Sequence, residues 1–251
     1  SDRFFTNDDF QQDATGKLIT VNGRYVLKTG IPDQKLYETA SFFFGPGDVK
    51  YKDLNGDGVI TRGSNTVDDP GDQRIIGNST PRYQYGLRLG SDWKGFDLGI
   101  YFQGVASREL WIHSPATVPG VGPGEGWYAN QLDYWTPQNQ NAFYPRPAGI
   151  GQTANVTNFL QQTKYLLDLS YLRAKNISFG YTLPARLSER LKLNKARLYF
   201  SGENLFEKDN LGEISIDPEV AYTTTGENDQ RTFGRVYPYR RSLSFGLQVT
   251  L

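Results

Sequence analysis

The chain has 251 residues, with 27 basic and 27 acidic side chains for zero net charge, and it contains neither cysteine nor methionine. Absent cysteine excludes disulfides, zinc–thiolate centres and thiol nucleophiles, and the balanced charge argues against a nucleic-acid protein held by a phosphate-binding field. No stretch approaches the roughly 18 apolar residues of a membrane helix, but a barrel strand of about 9–11 alternating residues escapes a hydropathy scan.

Without methionine, the chain reads as a processed or truncated piece of a larger product. Residues 1–50 are irregular except for 18–27, where Asn22-Gly23 supplies the positive φ angles of a tight hairpin turn. From 45 to 78 the chain is rich in Gly, Asp and Asn. Here Asp53-x-Asn55-x-Asp57-Gly58 matches the first half of an EF-hand calcium loop, with the Val59 carbonyl at the seventh position. The twelfth position should be a bidentate acid and is Ser64, so Asp68, Asp69 or Asp72 would have to supply the missing carboxylate. Two readings stand: a structural calcium clamp, or an Asx-rich turn that holds itself together without metal.

The rhythm then changes. Residues 82–90 alternate, with Tyr83, Tyr85, Leu87 and Leu89 on one parity. A connection at 91–95 leads to Phe96, Leu98, Ile100 and Phe102, which predicts an antiparallel hairpin. Residues 105–170 form a long loop of low periodicity. In it Trp111, Trp127, Tyr128, Tyr134 and Trp135 are placed either to contact a ligand or partner or to pack on the loop's own rim. His113, the only histidine, reads as a loop residue. The glycine-rich 120–126 follows no strand at nucleotide-binding spacing and lacks a P-loop lysine, so it reads as a loop.

The next strand is expected over 172–183, with Ile177, Phe179 and Tyr181 on one face. Arg173 and Lys175 share that parity and are expected to lie above hydrocarbon and snorkel. Residues 184–192 predict one or two helical turns. Ala196, Leu198 and Phe200 mark a fourth strand, 205–240 another long loop, and 242–251 a terminal strand with Leu243, Phe245, Leu247, Val249 and Leu251 on one face. Arg88, Asp97, Arg197 and Glu203 fall on the polar side, where they line or bridge a lumen. No carboxylate pair suits glycoside hydrolysis, and the chain reads as non-enzymatic.

Connections alternate long and short along the chain, as in outer-membrane barrels with short periplasmic turns and long outer loops. About five strands cannot close a barrel, which takes at least 8, and open edges in lipid are costly. The expected fold is all-β: C-terminal antiparallel strands of a large transmembrane barrel over 82–251, with 1–81 as an extracellular loop region. The C-terminus would be periplasmic and the loops at 105–170 and 205–240 extracellular.

Gly47-Asp48-Val49-Lys50-Tyr51-Lys52-Asp53-Leu54-Asn55-Gly56-Asp57-Gly58 resembles a segment of SusC-like (RagA/SusC) TonB-dependent outer-membrane transporters of Bacteroidetes. So do Ile75-Ile76-Gly77-Asn78-Ser79-Thr80-Pro81-Arg82-Tyr83, Trp93-Lys94-Gly95-Phe96-Asp97-Leu98, Tyr171-Leu172-Arg173-Ala174-Lys175-Asn176-Ile177 and Ser201-Gly202-Glu203-Asn204-Leu205-Phe206, in family order. The resemblance implies a plugged barrel of about 22 strands, of which this would be the C-terminal part. It implies as partners the N-terminal plug and remaining strands of the same transporter, TonB acting through that plug, a SusD-like surface lipoprotein as lid, and outer-membrane lipid. Nutrient import, of oligosaccharide or peptide, would be the function. The alternative is a soluble, calcium-stabilised, β-rich glycan-binding module, which leaves the bare terminal strand unexplained.

Overall fold

The computed structural model describes residues 3–39, 41–112, 114–120, 126–147, 157–212, 214–219 and 233–251. They divide into two compact units, one drawn from 1–77, 111–166 and 227–233, the other from 78–110, 167–226 and 234–251. His113 and residues 121–125 of the glycine-rich stretch lie outside the described residues.

The first unit holds short pieces of structure. β1 (Arg3–Phe4) pairs antiparallel with β4 (Val49–Lys50), and β2 (Thr20–Val21) with β3 (Arg24–Tyr25) across the Asn22-Gly23 turn. With so little regular structure, order comes from aromatic packing. Phe5, Phe10, Phe42 and Phe44 form one cluster; Phe4, Val49, Val118, Trp135, Tyr144, Phe159 and Tyr165 form another. Large rigid rings bury much area at low entropy cost, so these aromatics serve as the core of the first unit.

The second unit is a five-stranded antiparallel sheet in the order β11-β10-β9-β6-β5. β5 (Tyr83–Trp93) and β6 (Phe96–Ala106) are joined by Lys94-Gly95, whose φ angles of 49° and 90° are both positive. That is the two-residue primed turn whose twist matches the strands, so residues 91–93 belong to the strand and the connection is shorter than the spacing suggested. A small ladder, β7 (Glu109–Leu110) with β8 (Leu167–Asp168), precedes β9 (Tyr171–Thr182). The helix Ala185–Arg190 follows, then β10 (Lys195–Asp209) and β11 (Ser242–Thr250). No helix among the described residues is long and apolar enough to cross a membrane.

Register puts the alternating residues on common faces. Leu89 lies opposite Ile100, Ile100 opposite Ile177, Leu98 opposite Phe179, Phe179 opposite Phe200, and Phe200 opposite Phe245. One face is therefore apolar across all five strands. The other carries Arg88, Tyr101, Asp97, Asn176, Arg197, Glu203 and Gln248.

One expectation is corrected. Tyr101 pairs with Asn176 and Phe102 with Ala174, so Lys175 is an extra residue on β9; Asn204 and Leu205 are extra on β10. A bulge reverses the side-chain parity beyond it. Ala174 thus joins the apolar face, and Arg173 turns to the polar face opposite Gln103 and Glu207. Arg173 is 1% exposed and does not snorkel above hydrocarbon.

Candidate functional site

The apolar face of the sheet has no cover among the described residues. Leu87, Leu89, Leu98, Phe179, Leu198 and Leu243 are each about half exposed, and Phe245 is 83% exposed. A water-soluble sheet of this kind would bury such a face on a second layer. Tyr83 and Trp93 bound the face on β5, both exposed and of one parity. Ten steps of about 3.3 Å, tilted by about 40°, project to about 25 Å, the height of the apolar band of outer-membrane barrels between its aromatic girdles.

Connection lengths sort by sheet end. The Lys94-Gly95 turn, the 183–194 connection and the last residue of β11 share one end, since Phe96 pairs with Tyr181 and Lys195 with Thr250. The segments 107–170 and 210–241 leave from the other.

The polar face carries two ionic groups. Arg197 on β10 reaches over β9 to Asp97 on β6, its Nε donating at 2.9 Å and its Nη2 donating to the other carboxylate oxygen. Gly180 lies between them, and a Cβ there would come within 2.4 Å of both Arg197 Nη2 and Asp97 Oδ2. Towards the other end, Arg173 donates to Asp217 at 2.7 Å, to Glu219 at 2.6 Å and to Glu207, while Lys175 reaches Glu219 at 3.0 Å. Burial alone would raise the Asp217 carboxyl; hydrogen bonds from Arg173 and from the Tyr239 and Glu219 N–H groups hold it below its usual range. A segment of the last long connection is thereby pinned to the sheet. Sequence reading missed this group because its acids lie 34 to 46 residues from Arg173.

The Asp-rich loop is knit by its own backbone. Asp53 accepts from the N–H of Gly56 at 2.5 Å and of Gly58 at 2.8 Å, Asn55 from Asp57 N–H at 3.0 Å, and Asp57 from Val59 N–H at 2.8 Å. Asp72 takes the N–H groups of Leu54 and Thr61, and Asp69 takes the hydroxyl and N–H of Ser64. Asp68 is exposed. The Gly58 and Gly56 amides hold the Asp53 carboxyl below its ordinary value, and the Ser64 hydroxyl and amide do the same for Asp69. Among the described residues no group of three or more His, Cys, Asp or Glu side chains is arranged to hold a metal.

The five singled-out aromatics separate. Trp135 is a core residue at 7% exposure, and Trp111 and Tyr134 pack against the same cluster half-buried. Trp127 and Tyr128 stay at the surface, 37% and 39% exposed, with Trp127 edge-on to Tyr134 at 6.0 Å.

Known proteins share this arrangement in part. The chain is 31% identical over 211 residues to TonB-dependent receptor P3 of Formosa agariphila, and 28% identical over 213 residues to TonB-dependent receptor P26 of the same organism, each match taking in 81% of the chain. It spans about a fifth of these relatives' length, 19% and 20% respectively. Among solved structures it is similar to the RagAB peptide transporter, with a TM-score of 0.51 and 26% identity over 70% of this chain and 18% of that one. No family model matches. The similarity is homology to TonB-dependent receptors and RagA-like transporters, and the five-stranded all-β sheet is consistent with a fragment of that barrel family. Homology to these receptors and transporters supports a non-enzymatic chain.

Proposed function

We propose that this chain is the C-terminal part of the wall of a TonB-dependent outer-membrane importer. Its apolar face meets hydrocarbon and its polar face lines the lumen. The observation that carries the reading is the single apolar face, continuous through five strands and bounded by Tyr83 and Trp93, which at a tilt of about 40° are separated by about 25 Å in height. Short connections and the end of β11 then face the periplasm, and residues 1–81 and the long connections are extracellular. The missing staves and the plug come from the rest of the same transporter, TonB acts through that plug, and a SusD-like lipoprotein closes over the outer mouth. The cargo is an oligosaccharide or a peptide; the similarity to a structure named as a peptide transporter favours the peptide. In the first unit, Trp127 and Tyr128 are the exposed aromatics that would meet cargo or lid, with Trp111, Tyr134 and Trp135 supporting them. Calcium at Asp53, Asn55, Asp57 and the Val59 carbonyl, with Asp68, Asp69 or Asp72 as the further carboxylate, would be a structural clamp, and the Asp53, Asn55 and Asp57 side chains would have to turn from their backbone partners to hold it.

Single cysteines carrying an environment-sensitive dye, introduced into this cysteine-free stretch with any cysteine elsewhere in the polypeptide replaced by serine, test the reading directly. In the complete polypeptide reconstituted into vesicles with brominated acyl chains, dyes at 198 and 247 should be quenched. Dyes at 201 and 248 should not. Equal quenching at all four positions, or none, would remove the barrel assignment.

A further inference from the structure

The connection between β9 and β10 is built unlike a mere turn. Its helix packs against the start of β10, where Ala196, on the apolar parity, is 2% exposed. Ser188 is the buried side of that helix. Leu187 and Leu191, one turn apart, are 45% and 60% exposed. Beside that stripe, Arg186 and Arg190, also one turn apart, are exposed, as is Lys192. None of these three cations has an ion pair among the described residues, and Glu189 is the single acid in the segment. A short amphipathic helix with leucines next to arginines has the composition of a segment lying in a membrane interface.

The neighbouring sheet surface continues the pattern. Phe179, Tyr181, Leu198, Phe200, Phe245 and Leu247 line a groove of about 470 Å³ on the apolar side. Phe96 lies tilted against Tyr181 with ring centroids 4.4 Å apart, and Trp93 with Lys94 over its ring lies at the same sheet end. Lys195 and Arg197 are on the opposite parity, with Arg197 paired to Asp97, and take no part.

The geometry points to a specific site for an anionic phospholipid of the periplasmic leaflet. One acyl chain lies in the groove, and the headgroup phosphate meets Arg186, Arg190 and Lys192. The choice of occupant follows from charge complementarity, three cations against one acid, joined to a continuous apolar surface. The inference rests on the membrane reading above and deepens it by naming the lipid class and its place.

The test uses the complete polypeptide in nanodiscs of phosphatidylethanolamine and phosphatidylglycerol at a 4:1 ratio, about the anionic fraction of a mixed bilayer, with retained lipid measured by native mass spectrometry. The wild type should keep phosphatidylglycerol above its bulk share. Arg186→Gln with Arg190→Gln should lower that enrichment by about fivefold per arginine, as expected for basic side chains at an anionic surface. Arg186→Lys with Arg190→Lys should retain most of it. In the wild type, 1 M salt should erase the enrichment, a measurement that holds even if the double glutamine variant fails to insert. No enrichment in the wild type, or enrichment indifferent to both charge and salt, overturns the site while leaving the barrel reading intact. A polypeptide that does not insert at all overturns both, and the dye-quenching pattern identifies that case.

Discussion

Asp48 and Arg146 form a bidentate pair across 98 residues of chain, with Nε to Oδ1 at 2.9 Å and Nη2 to Oδ2 at 2.7 Å. Asp48 is fully buried, and Asn158 and the Gly45 N–H complete its shell at 2.8 Å each. Asn158 in turn accepts the Val49 N–H, and Gln34 bonds the Val49 carbonyl and the Tyr51 N–H. The Gly47-Asp48-Val49-Lys50-Tyr51 stretch is thus the junction to which the first unit's separate segments are tied. Arg146→Ala would leave a buried carboxylate without its cation and should cost about 3 kcal/mol. Urea titration of the first unit, followed by proteolysis within the complete polypeptide, should show an earlier midpoint while the sheet is unaffected.

Gly180 sits where Arg197 crosses from β10 to Asp97 on β6. Gly180→Ala should force that pair apart and cost about 1–3 kcal/mol as overpacking. Asp97→Asn should be milder, because it keeps the shape. Thermal unfolding of the inserted protein, read by heat-modifiable gel mobility, checks the order.

Asp53 and Asp69 have carboxyls held below the ordinary aspartate value of 3.8 by hydrogen bonds in the fold. A depressed folded value means that the stabilisation is full above the unfolded value and is lost as pH falls through the folded one. Protection of the Gly56, Gly58 and Ser64 amides, measured as exchange rates relative to the intrinsic ones, should therefore hold at neutral pH and be lost only below about pH 3.8. If the loop closes without metal, chelator at neutral pH leaves those rates unchanged. Acceleration by chelator would establish the calcium clamp.

Phe245 is the most exposed residue of the apolar face of β11, and Ser244 beside it points to the polar side. Phe245→Arg should lose about 2–4 kcal/mol of insertion stability if that face meets the middle of a bilayer. Ser244→Arg should be tolerated. Comparing folded fractions in vesicles after urea titration separates the two.

The strands were legible in the sequence because one face is apolar and the other polar, and a period of two survives without any knowledge of pairing. The Asn22-Gly23 turn was legible because its residue types suit positive φ. Arg173 was not. Its parity is that of Ile177 on paper, and only the extra residue at Lys175 turns it round. A bulge has no residue signature of its own here and becomes visible only through the neighbouring strands. The aromatic residues failed as a guide for a related reason: Trp135 and Trp127 have the same composition signal, but one is core and the other surface. What separates them is contact with Tyr144 and Phe159, a long-range fact.

The fifteen residues of β10 are more than a band of about 25 Å requires, since at about 3.3 Å per step and a slant of about 40° they rise about 35 Å. Through Phe206–Asp209 its ladder with β9 continues to Tyr171, which also pairs with Val105 of β6, so these strands continue past the start of β11 at Ser242 as a parapet. If the sheet is the importer wall, Arg173 and Glu207, which face each other on that parapet, make its inner side charged where the wall leaves the bilayer. Whatever closes the outer mouth would then seat on a rim already set by the wall, without waiting for the loops above it to settle.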